Sequence, residues 1–102
     1  MTTMILPEGH MSFADTCTRF LSLHERALWR PQTMSDEDYE VYGALMNRLA
    51  AAFMWSEIRG TDLVAETMTS APRWAEMVVN HISRMPLDVR TAVLDATRDY
   101  PW

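Results

Sequence analysis

Lysine is absent from this chain, so all nine of its basic residues are arginine. Glycine occurs three times and cysteine once. So few glycines exclude a backbone loop that cradles phosphate, because such loops need left-handed or closely approaching backbone at several positions. A single thiol, Cys17, cannot close an internal disulfide, which suits a reducing compartment. It falls on an apolar helical face, where cysteine packs as a small hydrophobe. Long apolar runs are missing too. The longest, Leu49 to Trp55, is far short of the ~20 residues that a membrane span needs, and the first six residues lack the charged start and apolar stretch of a signal peptide. The expected location is therefore the cytoplasm. No segment alternates apolar and polar residues with β-branched enrichment, so no sheet is expected.

The balance of charge is acidic, fourteen Asp and Glu against nine Arg, for a net −5. Such a chain is repelled by phosphate backbones, which disfavours direct nucleic-acid binding, and by acidic partner surfaces. With 48% apolar and 23% charged residues over 102 positions, the composition is that of one globular domain with one core.

Hydrophobic period and capping chemistry predict a compact all-α bundle of about five helices, at 13–29, 36–59, 62–69, 72–84 and 87–99, behind an irregular arm at 1–11 in which Met4, Ile5 and Leu6 can form an apolar hook. Ser12 caps the first helix, with Asp15 three residues on. Phe13, Cys17, Phe20, Leu21, His24 and Leu28 recur at helical steps, and Pro31 stops the pattern near Trp29. Ser35 caps the second helix, whose first turn, Asp36-Glu37-Asp38, places negative charge at the positive end of the helix dipole. Met34 and Tyr39 stand at the positions of a hydrophobic staple, and Gly60 follows Arg59 as a left-handed terminator. At ~35 Å this is the longest element. Its face is marked by Tyr42, Leu45, Met46, Leu49, Ala52, Phe53 and Ser56, and its middle is apolar nearly all round, as in a helix that is central or covered by a second chain. A short helix carries Leu63, Val64, Thr67 and Met68. The next starts around Ser70 with Pro72 in its first turn and shows Trp74, Met77, Val78, His81, Ile82 and Met85 on one stripe. Val89, Ala92, Val93, Ala96 and Tyr100 form the buried face of the last, before Pro101 and Trp102.

Catalytic constellations do not assemble. His10, His24 and His81 lie in separate segments, without HExxH or the Glu-x-x-His pairs of di-iron bundles. A metal held by His24 and His81 would need Glu25 or Glu76 besides, and isolated histidines on apolar stripes are ordinarily hydrogen-bonded core residues. Cys17 and His24 have no glycine-rich turn or oxyanion hole beside them. Asp36 and Glu40 are paired carboxylates, yet they begin a helix, where capping and solvation suffice. No enzyme, metal site or cofactor is expected.

What remains is a bias toward contact chemistry. Nine Met, four Trp, three Tyr and an all-Arg basic set match the enrichment of Met, aromatics and Arg, and the depletion of Lys, at protein interfaces. A GC-rich genome would also favour Arg and Trp through its codons. The acidic run Asp36, Glu37, Asp38, Tyr39 and Glu40, together with Trp29, Arg30 and Trp55, forms the expected partner surface, suited to a larger protein or ribonucleoprotein with a basic groove. In profile, short, acidic, motif-free and helical, the chain resembles phage- or mobile-element-encoded inhibitors of bacterial machinery, anti-CRISPR proteins included. That resemblance implies binding by stoichiometric occupancy in a host cytoplasm. The alternatives are a homo-oligomeric assembly protein, with a two-fold seam along the middle of the second helix, and a small metal-assisted enzyme using His24 and His81.

Overall fold

A computed structural model describes residues 12–100. The arm at 1–11, with His10 and the Met4–Leu6 hook, and the terminal Pro101 and Trp102 lie outside the described residues. Five α-helices follow in order: α1 (Phe13–Trp29), α2 (Asp36–Arg59), α3 (Leu63–Ser70), α4 (Pro72–Arg84) and α5 (Leu87–Ala96), with a 3-10 turn at Pro31–Thr33 between α1 and α2. Among the described residues there is no strand. The all-α bundle expected from the sequence is the observed fold.

Local chemistry sets the boundaries. At the start of α1 the Asp15 N–H donates to Ser12 Oγ at 3.0 Å. At the start of α2 a reciprocal capping box closes: the Asp38 N–H donates to Ser35 Oγ and the Ser35 N–H to Asp38 Oδ2, both at 3.0 Å. Gly60, at φ 71°, ends α2 in the left-handed region that only glycine adopts without strain. Two helices differ from expectation. The short α3 runs Leu63–Ser70 against the expected 62–69, the Ser70 hydroxyl donating to Glu66 O at 3.0 Å, while α4 spans Pro72–Arg84, the expected range. The last helix stops at Ala96: Thr97 leaves the helical range at φ −111° and ψ 8°, and residues 97–99 form a turn.

The bundle is organised around α2, which packs against α1, α3, α4 and α5. Ala44, Leu45, Leu49, Ala50, Ala51, Ala52, Phe53 and Met54 are all buried along it. The run of alanines lets neighbouring helices approach on more than one side, and Phe20 of α1, Ala75 and Val78 of α4 and Val93 of α5 fill the space between. The apolar middle of α2 is thus covered by the chain's own helices. A two-fold seam along that stretch has no exposed surface to use.

One buried residue on α2 was not singled out from the sequence. Arg48 is 1% exposed. Its Nε donates to Thr16 Oγ1 on α1 at 3.1 Å, and its guanidinium lies 4.5 Å from the ring centroid of Tyr100. Burial lowers its pKa from the usual arginine range and Tyr100 opposes the shift. Arginine is basic enough to remain charged inside the fold. Its spacing shows where it belongs: Leu45, Arg48, Leu49 and Ala52 follow the i, i+3, i+4, i+7 period of the buried stripe.

Truncation and neutralisation at this position should separate. Arg48→Ala is expected to cost about 3 kcal/mol or more, by leaving a void where a long side chain packs. Arg48→Met, which refills much of that volume without a charge, should retain most of the stability. Urea unfolding of the two variants checks this; equal losses would show that the guanidinium contacts, and not the packing, hold the site.

Candidate functional site

The residues expected to meet a partner fall in two places. The first is the corner where α1 passes through the 3-10 turn into α2. Arg26, in the last turn of α1, spans it: Nη2 donates to Thr33 O at 2.8 Å and reaches Asp38 Oδ2 at 3.4 Å. Thr33 Oγ1 donates to Arg30 O at 2.7 Å, and the Met34 N–H to Pro31 O at 3.1 Å. The connection is short and internally bonded, so the backbone that carries the exposed side chains is held in place.

On the outside of this corner Trp29 is 76% exposed and Leu28 60%. Leu21 on α1 and Tyr39 on α2 are exposed as well, as are Arg30, Asp36 and Glu37, while Glu40 is partly buried. Asp38 belongs to the frame of the corner. The Ser35 backbone N–H holds its carboxyl below the usual range, and Arg26 adds to the effect. Leu21 and Leu28 correct the sequence reading, which placed them on the buried face. Each lies about 80–100° round the helix from the Phe20 direction, on the edge of the stripe. Thr16, buried, and Leu23, partly buried, take the inner positions instead.

Trp55 stands apart. It lies sixteen residues along α2 from Tyr39, about 24 Å at the helical rise. It is partly buried, its indole N–H donates to Thr97 Oγ1 at 2.8 Å, and Arg59 stacks 5.1 Å from its ring centroid. These contacts tie the end of α2 to the segment after α5, so the expected grouping of Trp55 with the corner is not what the fold assembles.

The two histidines have separate partners. His24 Nδ1 and the Tyr42 hydroxyl share a 2.6 Å hydrogen bond within a stack that includes Phe20. His81 Nε2 donates to Asn47 Oδ1 at 2.8 Å. Among the described residues no three His, Cys, Asp or Glu side chains converge on one point. Cys17 packs against the core, and burial pushes its thiol up to about 11, which keeps it protonated at neutral pH.

Tyr42 and His81 also line a groove of about 440 Å³ between α2 and α4, flanked by Arg73, Glu76 and Arg84. Burial raises the Tyr42 hydroxyl above the usual phenol range, with Tyr39 adding to the shift, and lowers His81 below the usual imidazole range. Both groups are therefore neutral at pH 7 and act as hydrogen-bonding parts of the wall. On the other side of the core, Phe53, Met54, Glu57, Ile58, Val64, Val79, Ile82, Arg90 and Leu94 line a second groove of about 420 Å³, mostly apolar.

The lowered His81 pKa makes stability depend on pH. The unfolded chain takes up the proton first as pH falls below about 6.5, so the stability from the neutral buried imidazole is present above that value and is lost as pH drops through the lower folded pKa. The melting temperature of the wild type should fall between pH 7 and pH 5, and His81→Gln should show a smaller fall. Thermal melts by circular dichroism across that range test it; identical slopes for the two proteins would contradict the assignment. No family model matches the sequence, and no curated protein and no solved structure is detectably similar to it, so the meaning of these surfaces rests on their own chemistry.

Proposed function

We propose that this protein is a non-enzymatic binding module that occupies a larger protein, or the protein part of a ribonucleoprotein, through the corner between α1 and α2. The observation that carries the reading is Trp29, an indole left 76% exposed on a hydrogen-bonded corner. Isolated exposed apolar side chains are ordinary, but Trp29 directly follows an exposed Leu28, Leu21 and Tyr39 are exposed on the two helices that meet at this corner, and Trp and Tyr are of the kind that dominates binding energy. The corner is already ordered, so docking loses little conformational freedom there.

Asp36 and Glu37 border this apolar surface and give the partner its character: an apolar pocket for the indole, rimmed by Arg or Lys. Complementary charge of this kind speeds encounter and orients the complex. Arg30, beside Trp29, adds a planar donor for a carboxylate on the same rim. Inhibition by occupancy, in the manner of phage- or mobile-element-encoded inhibitors such as anti-CRISPR proteins, is the specific form of this proposal, and the host cytoplasm is its setting.

The test begins with capture of partners from the native host, identification by mass spectrometry, and titration of the purified pair. Trp29→Ala should weaken affinity by about 2 kcal/mol or more, roughly thirtyfold. Asp36→Lys with Glu37→Lys should slow association and reduce its salt dependence. Asp38 is left intact, because its loss would open the α2 capping box and confound binding with folding. Trp55→Phe should lower stability and leave affinity unchanged. If both corner variants bind as the wild type does while keeping their helicity, the corner is not the docking surface.

A further inference from the structure

The apolar groove on the far side of the core lies where α2, α3, α4 and α5 converge. Phe53, Met54 and Ile58 come from α2, Val64 from α3, Val79 and Ile82 from α4, and Arg90 and Leu94 from α5. Ile58 is 60% exposed at its mouth. Its one cationic wall residue, Arg90, is partly buried. Nη2 donates to Ile82 O at 3.0 Å, where it satisfies a carbonyl in the last turn of α4. Nε is closed off from solvent and has no hydrogen-bond acceptor among the described residues, so a ligand in the groove meets the outer end of the guanidinium. No carboxylate of the described residues forms an ion pair with this guanidinium, and Glu57, which shares the groove, stays exposed to solvent. A partly desolvated cation without a counter-ion at the edge of an apolar concavity favours an anion there.

We infer that this groove is a binding site for an amphiphile with an alkyl chain and a single carboxylate, of the fatty-acid class, with the chain against Phe53, Ile58, Val64 and Leu94 and the carboxylate on Arg90. The volume, about 420 Å³, falls in the range of small-molecule sites, which form between the helices of bundles as mostly apolar clefts with one or two polar anchors. Arginine suits the headgroup because its planar donors match a carboxylate, and the pairing is stronger out of bulk water. Glu57 faces the same space and opposes the anion, which sets a modest affinity. The site is on a different face from the α1–α2 corner and does not depend on the function proposed for it.

Isothermal titration of the full chain with dodecanoate below its micelle concentration, at pH 7.5, tests the inference. Saturable binding with one ligand per chain is expected, at least about tenfold weaker for dodecanol, which keeps the chain and lacks the charge. Arg90→Lys should retain part of the affinity, Arg90→Met should lose about tenfold, and Glu57→Gln should tighten binding. Because Arg90 also supports the end of α4, Ile58→Glu serves as a second variant: it places a carboxylate at the exposed mouth, should abolish binding, and should leave the melting temperature near that of the wild type. No saturable binding, equal binding of the alcohol and the acid, or wild-type affinity in Ile58→Glu each overturns the proposal. Corner variants such as Trp29→Ala should bind dodecanoate normally, so failure of one site reads separately from failure of the other.

Discussion

A helix that is apolar on every side can exist in water only if something encloses it, and α2 is enclosed by the other helices of its own chain. This constraint orders the rest of the fold. Apart from Asn47 and Arg48, residues 44–54 present small or apolar side chains in all directions, so α1, α3, α4 and α5 must be distributed around them. The alanines at 50–52 matter as much as the large residues, because backbones can approach closely only where side chains are short. The apolar burial is non-directional and would tolerate some sliding of the outer helices along α2.

Polar side chains remove that freedom. Tyr42, Asn47, Arg48 and Trp55 all project from α2, and each bonds to a different point outside it: His24 and Thr16 on α1, His81 on α4, and Thr97 just after α5. A slip of one residue in any of these helices would leave a donor or acceptor inside the protein without its partner, at about 1–3 kcal/mol per group. The arrangement therefore selects one packing out of several of similar apolar area. That buried polar groups can specify register in this way is well attested for helical assemblies, even where they add little net stability.

These two layers of information were unequally visible in the sequence. Apolar spacing and caps are local, and they marked the helices to within a few residues, including the capping box at Ser35 and the glycine after Arg59. The cross-ties join residues 18 to 42 positions apart, and no local pattern pairs His24 with Tyr42 or Trp55 with Thr97. Arg48 could have been placed inside from its spacing between Leu45 and Ala52, although its neighbours Thr16 and Tyr100 could not. Trp29 was readable because Pro31 stops α1 immediately after it and leaves the indole at a helix end. Trp55 looked equally peripheral on its helix; the α5 segment that covers it comes from far along the chain. The apolar groove left no sequence signal, since its wall is assembled from four helices, each contributing residues that read as ordinary core.

The corner and the groove sit near opposite ends of α2, with Asp36 at one and Ile58 at the other. Sites so far apart communicate only if the element between them has two arrangements whose balance both ligands shift. The middle of α2 offers little room for a second arrangement, because it is packed on all sides and bonded to its neighbours at four of its own side chains. Rotation or translation of the helix would break those bonds together. Occupancy at one end should accordingly leave affinity at the other unchanged, and linkage requires that independence to hold in both directions. The same packing that separates the two proposed sites also fixes the corner: its backbone is tied to α2 through Arg26 and Asp38, so the helix end that carries Trp29 is in place before any partner arrives.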